Sequence, residues 1–352
     1  MASAHGLHEA PRRELLPGVT RRAAVLVIGV LLLQLGFVLS YVGAFHAPTP
    51  RDVPLAVVAP AGAPAGTAQS AAAQLEGLTG DPLEVQVADT EDAARRLLAD
   101  REVDGVLVLG TGTEDTLLVA GAEGGAVSSA LTEVLTRVDA AQQRTLTTDD
   151  VVPAAAGDAR GLSAFYLAVG WVVGGYLVAS IIGVSAGSRP ITRARGVVRL
   201  GSLAVYAVVS GVGGALITGP VLGVFDGHLL ALSALGAPLV FAVGAFTMAL
   251  QVWTGLVGIG LAILLFVVLG NPSAGGAYPA PLLPPFWSAI GPWLPPGAGT
   301  SAIRGIVYFG GAGAGQAALV LTAYAVVGLV ATLLGSGRRV AADQPEPVAV
   351  PA

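Results

Sequence analysis

The chain has 352 residues, 54% of them hydrophobic and only 12% charged, with a formal net charge of −5 and a mean hydropathy of +0.74. That balance is the mark of a polytopic membrane protein and excludes a soluble globule. There is no cysteine and every basic residue is arginine, which excludes disulfides, thiol catalysis, a P-loop lysine, a Schiff base and a kinase-type Lys–Glu pair.

About 20 apolar residues cross about 30 Å of hydrocarbon, and on that measure six spans are expected. Residues 1–22 form a cytoplasmic N-terminal segment, and the first span covers 23–45. A cleaved secretory signal is the competing reading, since Val42, Gly43 and Ala44 fit a small-residue cleavage site. The run is longer than a signal core of about 7–15 residues, which favours an uncleaved anchor.

Residues 46–160 hold 18 Asp and Glu against 7 Arg and alternate as a small α/β domain. Strands are expected at 54–59, 83–87, 103–109 and 115–120, with helices at 68–78, 89–100 and from Ala126 onward. Glu91 and Asp92 open one helix and Arg95 and Arg96 follow, complementing its dipole. Glu91, Asp92, Asp100, Glu102 and Asp104 read as a solvated face, and no metal-ligand spacing occurs.

Residues 161–335 form a five-helix transmembrane domain with spans at 162–184, 200–224, 229–249, 254–270 and 317–334. The run from 229 to 270 would make a rod of about 60 Å, twice the hydrocarbon thickness, so a turn is placed near Gln251, Trp253 and Gly255. Arginines near span ends set the orientation. Arg12, Arg13, Arg21 and Arg22, then Arg189, Arg193, Arg195 and Arg199, then Arg338 and Arg339 in the 336–352 tail all fall on one side of a six-span arrangement. That side is expected to be cytoplasmic, with 46–160 extracytoplasmic.

Between Asp158 and Asp343 the only acidic residue is Asp226, in a turn with His228. Proton-coupled transport draws on ionisable groups inside spans, so a proton-driven antiporter and a channel with charged rings are disfavoured. Gly183-Val-Ser-Ala-Gly187 matches a nucleophile elbow, yet Ser185 falls at the end of a membrane helix with His46 and His228 on the far side. Small residues at that spacing, as at Gly170 with Gly174 and Gly219 with Gly223, instead permit helix packing. The expectation is a chain that is not an enzyme, with no cofactor, metal or nucleic-acid partner.

The stretch PPFWSAIGPWLPPGAGTSAIRGIVYF starts at Pro284, and its five prolines forbid a continuous span. Trp287 and Trp293 suit the interface. Gly297 and Gly299 allow a tight reversal, Thr300 or Ser301 caps a short helix, and Arg304 snorkels to the outer headgroups. A rigid loop on the outer leaflet and a re-entrant hairpin over 281–309 closing the outer mouth are both open.

One span, an external domain, five further spans and this Pro/Trp segment, with Ile303-Arg304-Gly305 after it, resemble the type-2 ABC exporter permeases, in particular their phage infection protein-like branch. The Asp-Gly strand that follows the helix at 89–100 is similar to that group as well. The resemblance implies a permease that forms a homodimer or heterodimer in the bilayer and is driven by a separate cytosolic ABC ATPase, which would bind the ATP. It also implies that the loop bearing Arg189, Arg193, Arg195 and Arg199 docks that ATPase, and that Trp287, Pro292, Trp293, Pro295, Pro296, Gly297 and Arg304 form a re-entrant gate. Read as residues alone, the four arginines serve equally as topology determinants. With an uncharged path, an amphipathic or lipid-like substrate is the easier guess. A non-transporting envelope protein, whose external domain binds a protein, a cell-wall component or a phage, is the alternative.

Overall fold

A computed structural model describes residues 21–158 and 160–337, the side chains of Arg21 and Arg22 excepted. Arg12, Arg13, His5, His8, Arg338, Arg339 and most of the tail lie outside the described residues. Among the described residues, five helices are long and apolar enough to cross a membrane: α1 (Arg21–Phe45), α5 (Ser163–Ser185), α6 (Arg193–Leu216, continuing as a π-turn to Val221), α7 (Leu229–Thr254) and α11 (Ala314–Gly335).

Between α1 and α5 stands a five-stranded sheet, β1 (Val53–Val58), β2 (Leu83–Val87), β3 (Gly105–Val108), β4 (Glu114–Val119) and β5 (Thr145–Asp150), in the order β2-β1-β3-β4-β5. The strands β1, β2 and β3 are parallel, β4 runs antiparallel to β3, and β5 is parallel to β4. Helices α2 (Thr67–Glu76), α3 (Glu91–Ala99) and α4 (Gly125–Ala141) make the crossovers. Central β1 is apolar on both faces: Val53, Leu55 and Val57 meet α2 and α4 residues such as Leu75 and Leu131, while Ala56 and Val58 meet Ala94 and Leu98 of α3. Each fully buried leucine contributes about 1.5–3 kcal/mol. Edge strand β5 reads TLTTDD and is mostly exposed, so it carries neither an apolar run like those of β1 and β3 nor an apolar face. Both core faces extend beyond the domain, one to Tyr278 and Leu282, the other to Tyr308 and Phe309.

In the helical part α7 is central, packed by α5, α6 and α11. Glycine sets the spacing where the helices approach most closely. A Cβ on Gly211 would lie 2.5 Å from the Ala237 nitrogen, and one on Gly175 would lie 2.8 Å from the Val240 oxygen. The spacings expected to pack contribute less. Gly170 faces nothing within 4 Å, Gly219 sits in the π-turn and Gly223 in a loop at φ +68°, and of the four Gly174 alone closes on a neighbouring helix, 3.1 Å from the Tyr206 hydroxyl. Gly183 of the Ser185 pattern makes room for Gln251, whose Nε2 donates to the Ala179 oxygen at 3.1 Å. The Ser185 hydroxyl donates to Ile181 of its own helix at 2.7 Å.

The chain reverses after α7 at Gly255 (φ +69°) into α8 (Val257–Ile263), which ends in a π-turn over Leu264–Leu269. This differs from the full span expected at 254–270. The 13 residues Val257–Leu269 rise about 20 Å at 1.5 Å each, short of about 30 Å. The helix stops at Gly270, where a Cβ would sit 2.8 Å from Pro296. From there α9 (Pro285–Ile290) and α10 (Pro295–Tyr308) follow, and α10 packs inside the bundle against α5, α7 and α11. The end of the α8 run at Gly270 thus lies against the start of α10 at Pro296.

The two ends of the bundle differ in chemistry. At one, Arg189 donates to the carbonyls of Val252 and Trp253 at 2.7 and 3.2 Å, Arg199 reaches Gly187 at 2.7 Å, and the Gly337 amide meets Pro190 at 3.1 Å. The α/β domain sits at the other.

Candidate functional site

Helix α10 is the most unusual element in the bundle, because its N-terminus is buried. Residues 295–300 are all buried, in a place where an ordinary helix start would leave four N–H groups without partners. Proline at the first two positions removes two of those donors and supplies a helical φ. The Ala298 amide reaches back to the Leu294 oxygen at 3.0 Å.

The roles expected for this stretch shift accordingly. Thr300 lies inside the helix, donating to Pro296 O at 2.8 Å, and caps nothing. Gly297 and Gly299 are helical and make no reversal; a Cβ on Gly299 would lie 2.9 Å from Leu239 and 3.3 Å from Ala168. Pro285, Pro295 and Pro296 start helices as well as preventing a span. Trp293 is exposed, whereas Trp287 is partly buried and donates to Ser40 of α1 at 3.1 Å. Pro292 is partly buried and lines the cavity described next.

Arg304 does not snorkel. It is 4% exposed and donates to the carbonyls of Gly275 at 2.9 Å and Gly161 at 3.2 Å, while its Nε has no partner. Those carbonyls belong to the segment before α9 and to the linker before α5, so one guanidinium fork ties three parts of the chain together. Tyr308, one turn on, donates to Asp158 at 3.3 Å and accepts from the Ala155 amide at 3.2 Å. Asp158 also accepts from the Ser163 amide and hydroxyl, both at 2.9 Å, closing the start of α5.

From the domain, Arg101 reaches the same helix. It takes the left-handed position after α3 (φ +63°), with Arg101 N bonded to Leu98 O and Glu102 N to Leu97 O. Glycine is the usual occupant there; the side chain explains the exception. Arg101 pairs with Glu123, donates to Ser301 O at 3.0 Å, Ala312 O at 3.2 Å and Ser301 Oγ at 3.1 Å, and lies 5.4 Å from the Phe309 ring centroid.

Between Arg101 and Arg304 lies a cavity of about 240 Å³, with Asp104 and Glu123 on the domain side and Ser273, Pro292 and Ala298 on the other. Of the acidic residues expected on a solvated face, Asp104 departs: it is half-buried here. Burial, reinforced by Glu123 and opposed by Arg101, raises its carboxyl to about 7. Through Arg101, which joins Glu123 to Ser301, the arrangement holds the domain against α10.

The four loop arginines divide. Arg189 and Arg199 are used on the carbonyls that end α7 and α5, favourable positions for cations. Arg193 and Arg195 are exposed at the start of α6, where Thr192 caps the Arg195 amide at 3.3 Å. Sequence reasoning singled out Arg304, a charge isolated in a long apolar stretch, but missed Arg101, Glu123, Asp158 and Tyr308. They are ordinary surface-type residues until the fold places them together. Compared with protein-family models, curated proteins and solved structures, the chain finds no match.

Proposed function

We propose that the chain is the membrane permease subunit of an ABC-type exporter, working with a separate cytosolic ATPase as a homodimer or heterodimer. The observation that carries this reading is the broken crossing: α8 stops at Gly270 and α10 begins beside it with a buried, proline-started N-terminus. Interrupted helices inside a bundle are the element from which transporters build a path that opens and closes. Positive-inside logic assigns the end bearing Arg189 to Arg199 to the cytoplasm of a bacterial plasma membrane and the α/β domain to the outside. The exposed Arg193 and Arg195 are then free to meet acidic groups on the ATPase. Arg304 is tied to backbone carbonyls, and among the described residues the middles of the spans carry no other charged side chain, which favours an amphipathic or lipid-like cargo.

The test is co-purification of the full chain with a cytosolic ABC ATPase of the same cell. The reading expects a complex whose ATP turnover responds to lipid or amphipathic drug after reconstitution. Arg193→Glu with Arg195→Glu should abolish the complex. If no ATPase binds and the external domain instead captures a cell-wall fragment or a phage, the chain is a non-transporting envelope protein.

A further inference from the structure

A second cavity, of about 470 Å³, lies wholly within the α/β domain, away from the junction. It opens at the carboxyl ends of β1 and β3, between the 59–66 loop and Leu109 to Thr111. The chain leaves β1 through α2 to pair β2 on one side, then returns through α3 to pair β3 on the other. That change of direction is a topological switch point, where open α/β sheets bind ligands in the crevice beyond their strand ends. The volume is within the usual range of about 300–1,000 Å³ for small-molecule sites.

The cavity contains one group that the rest of the protein leaves unsatisfied. Asp139 is 3% exposed and its Oδ2 has no hydrogen-bond partner. Its position is unfavourable three times over. It is buried, it lies in the last turn of α4 where the helix dipole is negative, and the Asp115 carboxylate stands nearby. Burial first, then Asp115, raises its carboxyl above the ordinary range, against the pull of Arg144.

Arg144 uses four of its five N–H groups elsewhere, and none donates to Asp139. It donates to Asp115 Oδ2 at 2.6 Å and to Asp115 Oδ1, to Gly112 O at 2.7 Å and to Gly110 O at 3.3 Å. Asp115 Oδ1 in turn accepts from the Gly110 amide at 2.7 Å. With Asp115 and Asp139 against Arg144, the lining holds one more carboxyl than guanidinium. Among the described residues no three His, Asp or Glu side chains gather as a metal set, and the walls combine apolar Leu75, Leu109 and Val138 with polar Thr67, Ser70 and Gln74.

We propose that this cavity binds a small organic amine, its ammonium group donating to Asp139 and its apolar body lying against Leu75, Leu109 and Val138. A donor cation supplies what Asp139 lacks, and the apolar side chains hold what a metal ion would not use. The site is independent of the permease reading and stands or falls apart from it.

The absence of cysteine makes a local test possible. Gln142→Cys places a single exposed thiol at the cavity rim, and its modification by an impermeant methanethiosulfonate is timed on the full chain in detergent. Benzylamine is expected to slow that reaction at pH 7, whereas benzyl alcohol, benzoate and calcium chloride leave it unchanged. A thiol at Glu84→Cys, on the far edge strand β2, should show no protection. With Asp139→Asn added, half-protection should need about tenfold more benzylamine, the loss of a charged hydrogen bond. Ala71→Leu, which fills the cavity and leaves Asp139 in place, should also block protection if the asparagine form does not fold. Equal protection by benzyl alcohol, protection by calcium in place of the amine, an unchanged midpoint in the asparagine form, or no protection by benzylamine would overturn the proposal.

Discussion

Arg304 and Asp104 face the same cavity and show how differently burial treats two charges. The guanidinium spreads its charge over a planar fork and finds two carbonyls, so it stays inside. The carboxyl gains less from Arg101 than it loses to burial and to Glu123, and its pKa rises to about 7. In the unfolded chain an aspartate titrates near about 3.9. Between that value and about 7 the unfolded state binds fewer protons than the folded one, so stability falls as pH rises and levels off above about 7. Asp104→Asn removes this dependence. Its unfolding temperature should match that of the parent chain near pH 4 and exceed it by a margin that grows to pH 8. A margin identical at pH 5 and pH 8 would mean that Asp104 is solvated in the folded chain.

At the scale of elements, α10 is defined by what its sequence omits. Two prolines remove donors at a buried helix start, and glycine at 299 lets Leu239 and Ala168 close in. Gly299→Ala therefore gains helix propensity of up to about 1 kcal/mol and loses more to overlap, about 1–3 kcal/mol. Gly170→Ala, which meets nothing within 4 Å, keeps the propensity gain alone. Denaturant unfolding in one detergent should rank the proteins Gly170→Ala, parent, Gly299→Ala, from most to least stable. The reverse order would remove the tight seat of α10 on which the permease reading rests.

For the molecule as a whole, the paired ends of the bundle define what orientation means. Arg193 lies at the arginine end and Glu84 in the α/β domain at the other. In intact cells an impermeant thiol reagent should label Glu84→Cys at once and Arg193→Cys only after permeabilisation. Labelling in the opposite order inverts the protein and removes the ATPase from reach of Arg193 and Arg195.

The sequence by itself determined the class of molecule: long apolar helices with an α/β domain inserted after the first. It could do so because hydrophobic length and alternation are local properties. Thus β1 to β4 were legible from runs such as LAVV, and the break at Gly255 from the excess length of one apolar run. Strand β5 was not, because an exposed edge has no apolar face to declare, and Val257–Leu269 read as a full span because composition does not measure where a helix stops. Arg304 stood out in sequence as an isolated charge, but its partners are carbonyls of Gly161 and Gly275, which any residue can offer. Only the tertiary structure decided that it turns inward, that Arg101 meets the same helix 200 residues away, and that Asp139 Oδ2 lacks a partner. Those facts depend on which surfaces pack together, and packing is settled by the whole chain at once.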